Sequence, residues 1–260
     1  MTSIHRRCVL LSATALIASI AVAARAAEPP VIAAAADLNA AMPELIALFT
    51  KQTGRAVKVT YGSSGNFATQ IAAGAPFEVF LSADESYVQK LAAGGHTDGD
   101  GVLYATGRIG LFEPSGSPVK ADTGLADLKA ALADGRLQKF AIANPEHAPY
   151  GRAAREALTH AGLWDAIKPH LVLGENIAQA TQFAMSGSAQ GGIIPLSLAL
   201  TPQSKAAGTF ALIPADWHQP LRQRAVLIKG AGDTARAFYT FIQSGPARDI
   251  LMRHGFVLPT

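Results

Sequence analysis

Four short stretches carry residue types at spacings that suit anion binding. They are Ala35-Ala36-Asp37-Leu38-Asn39, Gly62-Ser63-Ser64-Gly65-Asn66, Pro149-Tyr150-Gly151-Arg152 and Gly174-Glu175-Asn176-Ile177. Each reads as a turn from a strand into a helix. A helix N-terminus presents backbone N–H groups that lack intrahelical acceptors, at the positive end of the helix dipole. It therefore favours an anion without any Lys or Arg. The Ser63-Ser64 pair adds hydroxyls that either cap the helix or donate to a ligand oxygen. Taken singly, each turn is an ordinary cap or glycine turn. Four in one chain point to a site.

Other chemistry is poorly supplied. Gly62-Ser63-Ser64-Gly65 is one residue short of the G-x-S-x-G nucleophile elbow, and no sequence pattern sets a His beside it as a base. A periplasmic hydrolase is thus the minor alternative, and the expectation is no enzyme and no cofactor. His147 sits beside Glu146, but the chain has no H-x-x-x-H or H-E-x-x-H spacing, so His147 reads as a surface or hinge-facing residue and no metal site is expected. Trp164 and Trp217 are isolated and read as packing residues.

These turns need elements to hold them. Short apolar runs at 31–36, 57–61, 79–82, 140–143, 171–173 and 192–194 alternate with amphipathic helical runs. One such helix carries Leu38, Met42, Leu45 and Phe49, and another carries Ala154, Ala157, Leu158 and Ala161. Asn176 is placed to cap a helix reaching about Ser186. The βαβα order implies an α/β fold with parallel sheet covered by helices. Two extended stretches, 103–113 and 222–229, could pair with each other and carry the chain between two lobes. The division expected is 27–105 with 225–260 for the first lobe and 106–224 for the second.

The N-terminus predicts export. His5, Arg6 and Arg7 precede a small and apolar run over 9–24, and Ala24-Arg25-Ala26 offers a small-residue cleavage site. This is the pattern of a secretory signal over residues 1–26, and the apolar run is shorter than the roughly 20 residues that span a bilayer. Residues 1–26 hold three arginines and no acid, so the mature chain keeps 19 basic and 19 acidic residues and is formally neutral. No basic cluster marks a nucleic-acid surface. The sole cysteine, Cys8, falls in the signal, so the mature chain is expected to hold no disulfide and no cysteine nucleophile.

The most specific runs are Ala34-Ala35-Ala36-Asp37-Leu38, Tyr61-Gly62-Ser63-Ser64-Gly65-Asn66-Phe67 and Gly74-Ala75-Pro76. Leu81-Ser82-Ala83-Asp84, Asn144-Pro145-Glu146-His147-Ala148-Pro149 and Gly245-Pro246-Ala247 join them. Across them the mature chain resembles the substrate-binding subunit of bacterial molybdate ABC transporters. The resemblance implies the type II periplasmic binding fold, two α/β lobes closing over a bare oxyanion held by uncharged donors. It also implies a periplasmic monomer that captures molybdate or tungstate and docks on a membrane permease. A receptor for another small oxyanion or a non-dianionic solute stays open as the alternative, as does a sensor partner.

Carried over position by position, the donors are the hydroxyl and N–H of Ser64, beside Ser63, and the N–H groups of Tyr150 and Ile177. Two positions depart from the family pattern. Asp37 stands where many members have serine, and Pro195 where they have tyrosine. An ionised Asp37 aimed at a dianion is prohibitive. Unit charges about 4 Å apart repel by roughly 4 kcal/mol at an effective dielectric of about 20, a dianion roughly doubles that, and each ~1.4 kcal/mol is tenfold in affinity. The expectation is therefore that the Asp37 carboxylate turns away to cap the following helix. Pairing with Arg152 and protonation are the other ways out.

Overall fold

The computed structural model describes residues 28–259, so the expected signal and Cys8 lie outside the described residues. Ten strands form. In chain order they are β1 (Val31–Ala35), β2 (Lys58–Gly62), β3 (Val79–Ser82), β4 (Val102–Gly107), β5 (Ile109–Pro114), β6 (Phe140–Ala143), β7 (Leu171–Gly174), β8 (Gly192–Pro195), β9 (Gly208–Leu212) and β10 (Leu221–Leu227). They build two five-stranded sheets, ordered β2-β1-β3-β10-β4 and β7-β6-β8-β5-β9. In each sheet the second strand in the order pairs in parallel with both its neighbours, and the fourth runs antiparallel to its own. In the first sheet β1 pairs with β2 and β3, and β10 opposes β3 and β4. In the second β6 pairs with β7 and β8, and β5 opposes β8 and β9. This is an α/β fold of two lobes, as the alternating pattern predicted.

The elements follow from local chemistry. β1 is Val-Ile-Ala-Ala-Ala, and Ile32, Ala33 and Ala34 are wholly buried. Strands flanked on both sides and covered by helices need an unbroken apolar run, and alanine lets the helices approach closely. The helix Met42–Thr53 starts with Pro43 in its first turn and stops at Gly54 in the left-handed region (φ 68°). Side chains of Ser63, Asp84 and Asn176 each cap the helix that follows. In the first lobe Phe49 packs edge-on against Phe238 of the helix Asp233–Phe241 at 5.2 Å, which ties the C-terminal helices to the opening one. No helix among the described residues is long and apolar enough to cross a membrane.

The stretch expected as one extended run over 103–113 is two strands in different sheets. β4 pairs antiparallel with β10, with a bulge at Gln223/Arg224, whereas β5 belongs to the second sheet. The break falls at Arg108, and the chain returns through the single turn Ala215–Trp217 into β10. The boundaries expected at 105/106 and 224/225 fall within β4 and β10. Trp217 stacks on His160 at 4.7 Å, and both tryptophans pack against the second-lobe core, as their isolation suggested.

Candidate functional site

Three helices begin at one small cavity between the lobes. Ser64–Ala72 follows β2, Pro149–His160 follows β6, and Ile177–Met185 follows β7. The single turn Ala36–Asn39 after β1 meets them there. The cavity is lined by Ala35, Ala36, Asp37, Gly62, Ser63, Ser64 and Ala83 from the first lobe and by Ala148, Pro149, Tyr150 and Ile177 from the second. Its volume is about 10 Å³, on the order of what one water needs and far below the roughly 300 Å³ at which organic-ligand pockets begin. Among the described residues no Lys, Arg or His lines it.

The donors are arranged by the caps. At the Ser64 helix, Ser63 Oγ accepts from Asn66 N–H (3.3 Å), so Ser63 is the cap and Ser64 the first helical residue. Ser64 Oγ accepts from Ala83 N–H at 2.9 Å. That bond fixes the buried oxygen and leaves the hydroxyl hydrogen free to donate into the cavity. At the Ile177 helix, Asn176 Oδ1 takes the N–H groups of Ala178 and Gln179. The N–H groups of Ser64, Tyr150 and Ile177 find no acceptor among the described residues. The cavity thus brings Ser64 of the first lobe together with Tyr150 and Ile177 of the second.

Asp37 departs from expectation. Its carboxylate caps no helix, since the turn at Ala36–Asn39 has no side-chain cap. Nor does it pair with Arg152, which binds Asp84 at 3.1 Å and Glu156 at 2.8 Å. It is fully buried instead, and Oδ2 accepts from Tyr150 Oη–H (2.8 Å) and Gln223 Nε2–H (2.5 Å). Tyr104 in turn donates to Gln223 Oε1 at 2.7 Å. Oδ1 has no partner. Burial pushes the Asp37 carboxyl from 3.8 up to about 6, against the hydrogen bonds from Gln223 and Tyr150 and the nearby N–H groups of Asp37 and Leu38. Burial and the Asp37 charge together drive the Tyr150 hydroxyl well above its ordinary range. Gly107 shows how tightly this network is packed, because a Cβ there would lie 2.1 Å from Tyr150 Oη.

Pro195 is not among the residues that line the cavity. It ends β8 opposite Ile109 and precedes the short helix Leu196–Ala199, whose Ser197 hydroxyl donates to the Asp37 carbonyl at 2.8 Å. His147, read as a surface or hinge-facing residue, faces the opposite lobe. Its Nδ1 lies 3.0 Å from Ser63 Oγ, its carbonyl accepts from Gly65 N–H at 2.9 Å, and its Nε2 lies 3.5 Å from Glu175. It is a clasp between lobes. Gly65 is required there, since a Cβ would meet the His147 carbonyl oxygen at 2.6 Å.

Gln223, Tyr104, Ser197 and the His147 clasp escaped sequence reasoning. One signal was present. Leu221, Gln223 and Ala225 share the buried face of β10, and a polar residue at an inward period-2 position needs a buried partner.

Residues 30–257 match the family model described as bacterial extracellular solute-binding protein. The chain belongs to that family. Within it, the molybdate-binding protein ModA of Rhodobacter capsulatus is 39% identical over 249 residues, covering 94% of this chain and 95% of that protein. The molybdate-binding protein ModA of Azotobacter vinelandii is 37% identical over 242 residues, covering 92% and 93%. The solved structure of the Azotobacter vinelandii periplasmic molybdate-binding protein superposes with a TM-score of 0.79 at 32% identity, covering 90% of this chain and all of that one. A family of extracellular solute-binding proteins accounts for two lobes that meet over a cavity with no catalytic arrangement. Ser63 and His147 do approach each other, but the Ser63 hydroxyl serves as a helix cap and as a cross-lobe contact.

Proposed function

We propose that this chain is the periplasmic solute-binding subunit of an ABC importer, a monomer that captures molybdate or tungstate and presents it to the membrane permease. The observation that carries the reading is the donor set. Three helix N-termini and the Ser64 hydroxyl converge from two lobes on a small cavity with no cationic side chain. Fixed dipoles in a water-poor site stabilise an anion strongly because they need no reorganisation on binding, the principle of an oxyanion hole. In this reading Ser64 gives its N–H and hydroxyl, Tyr150 and Ile177 give N–H groups, and Ser63 holds the helix and the His147 clasp. Residues 28–107 with 221–259 form one lobe and 109–212 the core of the other, so closure swings about Arg108 and the segment before β10. The named molybdate-binding relatives support the ligand class, and no catalysis is involved.

Titration calorimetry of the ligand-free protein tests this. Molybdate and tungstate should bind at a single site and sulfate much more weakly. Absence of heat and of any thermal shift with all three oxyanions would remove the reading.

A further inference from the structure

The reading above leaves one group unexplained, a carboxyl in the wall of an anion site. Asp37 is fully buried and lines the cavity. Its two oxygens differ. Oδ2 is held as an acceptor by Tyr150 and Gln223, at 2.8 and 2.5 Å. Oδ1 makes no hydrogen bond among the described residues, although the N–H groups of Asp37 and Leu38 lie near the carboxyl. With Oδ2 taken by two donors, a proton added to this carboxyl belongs on Oδ1, where it creates a new O–H donor. An oxyanion in the cavity is the acceptor such a donor needs.

The charges around Asp37 favour this outcome. Tyr150 on the helix Pro149–His160 and Tyr104 on β4 are the titratable groups facing it, and burial and the Asp37 charge hold both neutral. β10 contributes the neutral amide of Gln223, and the helix Leu196–Ala199 the hydroxyl of Ser197. No cation is among the influences on its ionisation. Arg152 is engaged with Asp84 and Glu156, and Arg108, which follows Gly107 beside this network, makes no hydrogen bond or ion pair to Asp37 among the described residues. A dianion entering this site meets nothing that neutralises a carboxylate, except a proton.

We propose that Asp37 takes up one proton from solvent as the oxyanion binds, so that its carboxyl donates from Oδ1 and oxyanion capture is coupled to pH. The proposal rests on the oxyanion reading. The balance is one oxyanion and one proton entering together, with no bond made or broken in the anion. The ligand-free carboxyl already titrates near neutrality, at about 6, because it is buried. A bound dianion moves it further up. Between those two values the dissociation constant should rise about tenfold for each pH unit, as one-proton linkage requires.

The test is calorimetry of molybdate binding to the whole mature protein at pH 7.5, in two buffers of different ionisation enthalpy. The pH lies above the range in which molybdate itself takes up protons. The expected result is an uptake approaching one proton per site, with affinity falling up to about 100-fold from pH 6.5 to 8.5. Asp37→Asn and Asp37→Ser should bind with no linked proton and with affinity flat across that range. Binding of molybdate by the wild-type chain with buffer-independent heat and flat affinity overturns the proposal and leaves the oxyanion reading standing. Uptake that persists in both variants overturns it too, by placing the proton on another group. Failure of the wild-type chain to bind any oxyanion removes the reading and the proposal together.

Discussion

Ser64→Ala separates binding from folding at this site. The Ser64 oxygen accepts from the buried Ala83 N–H at 2.9 Å, and its hydrogen, which has no acceptor among the described residues, is the one proposed to meet the ligand. Alanine removes both contacts. Losing a donor to a charged oxyanion costs about 1.5–3 kcal/mol, which is roughly 10- to 150-fold in dissociation constant. The Ala83 N–H left without a partner costs a further ~1–3 kcal/mol of folding stability, because it is buried in both the free and the bound protein. The backbone N–H of residue 64 survives, so binding should weaken without vanishing. Calorimetry with molybdate gives the first quantity and urea denaturation of the ligand-free protein the second. Ser64→Thr, which keeps the hydroxyl, should recover much of both if its methyl is accommodated. A stability loss with unchanged affinity would refute the reasoning, since the hydroxyl would then be structural alone.

Three further outcomes follow from the geometry. Gly65→Ala places a Cβ 2.6 Å from the His147 carbonyl oxygen of the opposite lobe. Affinity should drop at least tenfold while the melting temperature of the ligand-free protein holds or rises, because alanine favours the helix by about 1 kcal/mol; small-angle scattering with saturating molybdate should show a more open form. Tyr150→Phe removes the donor to Asp37 Oδ2 and keeps the residue 150 N–H. It should cost about 1–3 kcal/mol of stability, more above pH 6 than below it, as read by denaturation at pH 5 and pH 8. Asp37 has its folded-state carboxyl raised from 3.8 to about 6, so its contribution to stability is greatest below pH 4 and is lost as pH rises through 6. At ~1.4 kcal/mol per pH unit the loss is roughly 3 kcal/mol, and this component should disappear from the stability–pH profile of Asp37→Asn.

The residues themselves explain how much was readable in advance. Apolar runs such as Phe140–Ala143 and Val79–Ser82 coincide with strands because burial on both faces demands continuous apolar sequence. Asn176 and Ser63 mark helix starts because capping is a contact between near neighbours in the chain. The site turns were legible for the same reason, since a helix N-terminus carries its N–H donors wherever it is placed.

Longer-range relations were not legible in that way. Whether 103–113 was one strand or two depended on which sheet each half joined, and the answer lay in β8, β9 and β10 far along the chain. The Asp37 carboxylate had a local cap available and did not use it. It turned instead to Tyr150, 113 residues away, and to Gln223, 186 residues away. His147, read as surface or hinge-facing, meets Ser63, 84 residues away.

By itself the sequence determined the alternation of strand and helix and the donor-bearing turns. Those are short-range matters of periodicity, capping and composition. Only the tertiary structure decided that the turns meet at one cavity, that Pro195 stands outside it, and that Asp37 is buried with one oxygen satisfied and the other free. Hydrogen-bond partners and desolvation are set by what the folded chain brings within a few ångströms, and residues a hundred positions apart carry no local mark of that encounter.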